Sequence, residues 1–386
     1  MWWQPGDVLA LDFGNNRYMH DGATVSLAAV LSASRTSPAT WFTAAGVLQS
    51  FGPNVPAITD RGLYVGGQRV NKCTNDNANP VDLTNLTLTN STGGAPEPGV
   101  TLTVVDDAGE LAAAGLSGVC TSGKVYKLDN STSGGTSHRA TFGGTPGNTN
   151  LHALSCYMRG SGSAQLRFQG STSSTGMGTQ PLTSGYQRWV ATGVPNATTF
   201  PMYVLALPGS VVYFILNQLE EGSFASPPIV TAGSAATRLA DSLTIPDFAA
   251  KAAAFGFEDG FAGEAVIDLT RLGDPSTRHI WAFGSSGNDV IDLYIVTANE
   301  FRLRRNKSGV GSWSAAYAIA EAAIHEVAFS VSPTALSLSV NGAAVAPVAH
   351  SGGMPAFDLA FVGSNITGAN ALGGPLRELR LRGSAA

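Results

Sequence analysis

The amino-acid sequence predicts an all-β protein, with two β-sandwich domains of the jelly-roll kind preceded by a short N-terminal segment. Three observations carry that expectation. Short apolar runs alternate with a period of two, clusters of Gly, Ser, Thr and Pro bound them, and helical periodicity is confined to two brief stretches.

Residues 1–71 hold aromatic side chains but too few strands to own a core. Residues 72–225 read as the first sandwich, with strands at 151–159 (LHALSCYMR), 165–169 (QLRFQ), 186–192 (YQRWVAT) and 211–219 (VVYFILNQL). Residues 226–242, opening on SPPIVTAGSAATRLAD, interrupt the alternation with two prolines and small polar residues and read as a linker. Residues 243–386 read as the second sandwich, with strands at 264–269, 279–283, 291–297, 300–305, 326–332, 335–341, 359–362 and 376–382. The two helical stretches are 107–116 (DAGELAAAGL) and 247–255 (DFAAKAAAF).

Composition narrows the function classes. Charged residues are 13% of the chain, against about 25% in ordinary proteins, so Ser, Thr and Asn must wet the surface. The 44% hydrophobic share supports packed cores rather than disorder. A net charge of −5 without a basic stripe argues against nucleic acid as a partner. No apolar run of about 18 residues occurs, which argues against membrane insertion, and the opening MWWQPGD lacks the pattern of an export signal. Cys73, Cys120 and Cys156 are odd in number and far apart, which predicts free thiols and folding in a reducing cytosol.

Catalytic patterns are missing. Glycoside hydrolysis needs two carboxyl groups about 5 to 9.5 Å apart across a cleft. The neighbours Glu220 and Glu221 end a strand and must point to opposite faces. None of the six histidines falls in HExxH spacing, and His325 reads as a strand residue. The glycines of 141–147 (TFGGTPG) read as turn formers. The expectation is a protein that is not an enzyme and needs no cofactor. Asp76, Asp82 and Asp129 are candidates for a structural calcium, although no dense carboxylate loop demands one.

Sugar binding requires aromatic platforms and neutral hydrogen-bonding groups, because sugars present both C–H faces and hydroxyls. Alternation puts Leu154, Cys156 and Met158 on one face and Ser155, Tyr157 and Arg159 on the other, and sets Arg167 and Gln169 against Leu166 and Phe168. The candidate sugar-contacting set, on faces expected to line one groove, is Tyr157, Arg159, Arg167, Gln169, Gln187, Trp189 and Asn217. The core is the plainer place for Trp189, and the same faces alternatively meet a neighbouring subunit.

Three stretches carry a resemblance. Residues 31–71 hold a Ser34-Arg35-Thr36-Ser37 turn, Ala39-Thr40-Trp41, Gly46-Val47-Leu48-Gln49, Asn54-Val55-Pro56, and a strand from Gly62 ending in Arg69-Val70-Asn71. Residues 154–241 hold NQLEEGSFAS at 217–226, then Thr237-Arg238 and Ala240-Asp241. Residues 264–382 hold HEVAFSV, LSLSVNG, FVGS and GGPLRELRL. Together they resemble a family of phage and prophage virion proteins of the tail-fibre, spike or head-decoration type, departing at Gly66-Gly67, where that family usually has Glu-Pro or Glu-Ala. The resemblance implies a carbohydrate-binding-module-like jelly roll, then a concanavalin-A-like or laminin-G-like sandwich. It further implies a protein made in the host cytoplasm, released by lysis and assembled with other virion proteins as a homo-oligomer, a trimer by likeness to fibres and spikes, that meets host surface polysaccharide. In the N-terminal segment, Trp2, Trp3, Phe13, Tyr18, Trp41 and Phe42 are the candidate virion-attachment residues, aromatics being enriched at interface anchors; packing against the adjoining sandwich is the alternative. A capsid or tail cement protein without sugar binding is the main competing expectation, followed by a depolymerase and, more weakly, a secreted adhesin.

Overall fold

The computed structural model describes residues 2–168, 178–195, 197–199, 201–269, 277–296, 299–319 and 323–383. The chain is all-β with short helices, built from antiparallel sheets. It forms two compact units. One comprises Met1–Pro38, Phe51–Gln68 and Leu239–Ala386, and the other Ala39–Ser50 and Arg69–Arg238.

Among the described residues, the second of these units has two five-stranded sheets. In spatial order one contains Leu86–Asn90, His138–Phe142, Met202–Ala206, Ser163–Phe168 and Gln180–Pro181. The other contains Thr101–Asp106, Lys124–Asn130, Ser210–Glu221, His152–Ser161 and Gln187–Gly193. Alternation turns Phe142, Leu166, Phe168 and Val204 of the first sheet toward Tyr126, Leu154, Cys156, Met158 and Phe214 of the second, and these side chains form one core. Each large side chain so buried contributes roughly 1.5–3 kcal/mol. Gly160, at φ +145°, sits where a Cβ would lie 1.9 Å from the Val211 carbonyl oxygen, so only glycine lets these two long strands run on together.

The other unit has, among the described residues, a ten-stranded sheet along the path Ala23–Thr24, Arg17–His20, Asp7–Asp12, Gly374–Gly383, Phe261–Asp268, Ile324–Val331, Ala335–Val340 and Ala343–Ala349. Gly62–Val65 joins the Gly374–Gly383 strand and carries Ala57–Thr59. The eight-stranded partner runs Val310–Trp313, Glu300–Lys307, Asp289–Val296, Arg278–Ser286, Leu359–Val362, Ser242–Thr244 and Ser32–Ser34, with Tyr317–Ala318 beside Glu300–Lys307. A run of aromatics crosses its largely aliphatic core: Trp281 stacks on Phe283 at 4.5 Å, and Phe257 on Phe261 at 4.8 Å.

Two sequence expectations about organisation are corrected. Residues 1–71 do not stand apart as an attachment segment. They are shared between the two units, because the alternating Leu9, Leu11 and Phe13 form an inward face that pairs with the Gly374–Gly383 strand, Leu9 opposite Leu381. The 226–242 stretch is not a free linker. Ser226, Ile229 and Thr231 are buried, and side chains supply the backbone partners that a sheet would otherwise provide. Ile229 N donates to Gln218 Oε1 at 2.6 Å and Thr231 N to Asn77 Oδ1 at 2.8 Å, while Ala236–Arg238 pairs with Arg69–Asn71. Among the described residues, no helix is long and apolar enough to cross a membrane.

Candidate functional site

The outward face of the sheet containing Ser210–Glu221 carries an ordered row of polar and aromatic side chains. Directly paired residues point to the same side, so register defines a row: Thr103 opposite Lys127, Lys127 opposite Tyr213, and Tyr213 opposite Arg159. Three strand spacings give this row a span of about 14 Å, suited to an oligosaccharide rather than a single ring. Val212 and Phe214 go inward and leave Tyr213 outside by the same alternation.

Asp107 fixes the row's end. One carboxylate oxygen accepts from Arg159 Nε at 2.9 Å and from the Tyr186 hydroxyl at 2.6 Å, and the other accepts from Arg159 Nη2. The guanidinium is thereby held 4.0 Å from the centre of the Tyr213 ring and 5.5 Å from that of Tyr186. Its Nη1 has no hydrogen bond among the described residues. Burial works against the Arg159 charge, but the Asp107 hydrogen bonds outweigh it and hold its pKa above the usual value. Burial and then Asp107 raise the Tyr186 phenol, which stays a neutral donor. Lys127 is tied to Asp129 at 2.9 Å, and that hydrogen bond raises its pKa. The row therefore offers a hydroxyl, an ammonium, a phenol and a guanidinium, with both cations neutralised by carboxylates at their sides.

The seven sequence-predicted sugar contacts do not form one site. Arg159 lies in the row and Tyr157 at its margin, where Tyr157 is buried beneath Arg188, whose guanidinium carbon is 6.0 Å from its ring. Arg167 points outward from the other sheet of the sandwich, its Nη1 donating to Gln165 Oε1 at 3.2 Å. The two polar faces thus lie on opposite sides of the core and cannot line one groove. Gln187 is exposed on the strand opposite Met158, and Gln169 lies outside the described residues. Trp189 belongs to the core. Asn217 is fully buried, exchanging amide hydrogen bonds of 2.8 and 2.9 Å with Asn75 at a bulge where Leu216 adopts φ +53°.

Other expectations sort in the same way. Of the attachment candidates, Phe13 and Tyr18 are core residues and Trp41 and Phe42 are buried, which removes them from any docking surface. Trp2 and Trp3 are half-buried, packed edge to face at 5.1 Å, with Arg17 over Trp2. Glu220 is buried and hydrogen-bonded by Gln218 and Ser226, whereas Glu221 is exposed and held by Asn148 and Asn150. Burial raises the Glu220 carboxyl. Asp76, Asp82 and Asp129 each accept a nearby backbone N–H in a local turn, and among the described residues no three candidate ligands come together as a metal cluster would require.

The sequence reading overlooked Lys127, Tyr186, Tyr213 and Asp107. Tyr213 was legible as the aromatic of wrong parity in VVYFIL. Asp107, 52 residues from Arg159, looked only like the start of a helix.

No family model matches the chain, and no curated protein matches it. Solved structures similar to parts of it include the Ruminococcus gnavus IT-sialidase CBM40, at 17% identity over 34% of this chain and 80% of that chain, with a TM-score of 0.29. Domain 4 of AbnA, a GH43 extracellular arabinanase from Geobacillus stearothermophilus in complex with arabinotriose, is 15% identical over 39% of this chain and 71% of that chain, with a TM-score of 0.28. Mouse laminin alpha1 chain domains LG4-5 are 11% identical over 61% of this chain and 81% of that chain, with a TM-score of 0.27. Likeness at this level says nothing about what this chain binds.

Proposed function

We propose that the chain is a glycan-binding protein without catalytic activity, taking an oligosaccharide along the Thr103, Lys127, Tyr213 and Arg159 row. The observation that supports this reading most is the grip of Asp107 on Arg159, which fixes the guanidinium over Tyr213 and leaves Nη1 without a hydrogen bond among the described residues. A donor fixed before binding loses little entropy on meeting a sugar hydroxyl. The separation of Glu220 from Glu221 by burial supports binding without hydrolysis. The finer reading, adsorption of a phage particle to host surface polysaccharide, rests on the pattern in residues 31–71, and attachment to the particle then falls to Trp2 and Trp3.

The test is retention of the full chain on immobilised bacterial surface polysaccharides. The wild-type protein is expected to bind at least one, and Arg159→Ala and Tyr213→Ala to lose that binding while keeping the native far-UV spectrum. Silence on every polysaccharide favours a cement role, and new reducing ends reveal a depolymerase. Labelled chain absent from intact particles removes the virion reading alone.

A further inference from the structure

The eight-stranded sheet of the other unit has its own outward row. Pairing places Phe361 opposite Ala282, Ala282 opposite Asp292, Asp292 opposite Arg304, and Arg304 opposite Trp313. Trp313 is 46% exposed. Its ring lies over Gly311, where a Cβ would come within 2.4 Å of the indole. The Tyr294 side chain lies beside the indole. Tyr294 is itself stacked on His279 at 5.2 Å and 19° and has Arg304 at 5.7 Å from its ring centre. A large aromatic therefore lies half exposed against its own strand and outside the core of its unit.

The charges beside it are matched. Asp292, fully buried, receives Arg304 Nε at 3.0 Å and Nη2 at 2.5 Å, and Glu300 receives Arg302 Nη2 at 3.2 Å. We propose that this face is a second saccharide site, where a neutral pyranose stacks on the Trp313 indole and hydrogen-bonds to Arg304. Matched charge leaves no field to attract an acidic sugar, and the flat indole complements the C–H face of the ring. The site stands independently of the Arg159 row.

The experiment labels the full chain with 5-fluorotryptophan and assigns the Trp313 ¹⁹F resonance by Trp313→Phe. Malto-, cello-, manno- and galacto-hexaose are then titrated at the millimolar concentrations that weak binding demands. The Trp313 resonance is expected to shift saturably with at least one of them, with little dependence on salt. Gly311→Ala, which displaces the ring, is expected to weaken that response about tenfold while leaving the other tryptophan resonances in place. Arg159→Ala is expected to leave it unchanged, so failure of one site is distinguishable from failure of the other. The proposal is overturned by the absence of a saturable shift, by a response that survives Gly311→Ala or disappears in Arg159→Ala, or by a shift that follows protein concentration alone and so reports a second copy of the chain.

Discussion

Replacing Arg35 with alanine is expected to destabilise the unit formed by the chain's two ends more than any ordinary surface change. Arg35 and Asp241 are 206 residues apart, and each side chain is only 2% exposed. The guanidinium pairs with Asp241 Oδ1 and also donates to the carbonyls of Ser37 at 2.7 Å and of Gly52 and Val55 at 3.0 Å. Asp241 Oδ2 accepts the Gly66 N–H at 2.8 Å. Truncating Arg35 removes a buried guanidinium from Asp241 and from three backbone carbonyls, a loss of about 3–5 kcal/mol. For a unit of about 200 residues this lowers the melting midpoint by roughly 6–20 °C. Thermal and urea unfolding of the full chain, followed by tryptophan fluorescence, measures it. The double variant Arg35→Met/Asp241→Leu is expected to recover part of the loss, since both charges of the buried pair are removed together. If Arg35→Ala falls within about 0.5 kcal/mol of wild type, the range of a neutral surface change, the pair does not hold this unit together.

Asn217→Ala is expected to cost about 1–3 kcal/mol, because it leaves the buried Asn75 amide unpaired. Its saccharide affinity should match wild type, and a fall in affinity without a fall in stability would return Asn217 to the binding site. His152 is buried, and burial, then the Lys72 ammonium 3.3 Å from Nε2, lowers its pKa below the ordinary 6.5. Its neutral form is favoured in the fold, so the stability it contributes is present above pH 6.5 and lost as pH falls through the folded value. Urea midpoints at pH 7.5, 6 and 5 should fall less steeply for His152→Gln than for wild type, and equal slopes contradict this. Burial raises the Cys73 and Cys120 thiols to about 12 and Cys156 higher still. An aromatic disulfide reagent should therefore titrate none of the three in the native protein and all three in denaturant; a fast native reaction refutes the assignment.

Much of the fold was legible because strand alternation is local. The expected strand at 211–219 appears as Ser210–Glu221 and that at 376–382 as Gly374–Gly383, and the helix expected at 247–255 spans Phe248–Ala254. What escaped was non-local. The partner of Leu9 is Leu381, and no local period announces a pairing across nearly the whole chain. The asparagines of NKCTNDNAN show no strand alternation, yet Asn71, Asn75 and Asn77 are fully buried, and Asn71 and Asn77 both donate to the Asn217 and Ile229 carbonyls. Such polar knots resemble loops in sequence because only the fold supplies their partners. The motif residues Arg35, Asn71 and Asp241 are of this kind, which explains why the resemblance located architecture better than a ligand. The candidate site was half visible for the same reason. Parity exposes Arg159 and Tyr213, but Asp107, which orders them, reaches Arg159 only through tertiary structure.

Calorimetric titration of the full chain and its Tyr213→Ala variant with oligosaccharides released from a bound polysaccharide tests the central claim most directly. Saturable heat that weakens about tenfold or more in the variant, with an unchanged melting midpoint, is the predicted result. Equal affinity of the two proteins would contradict it.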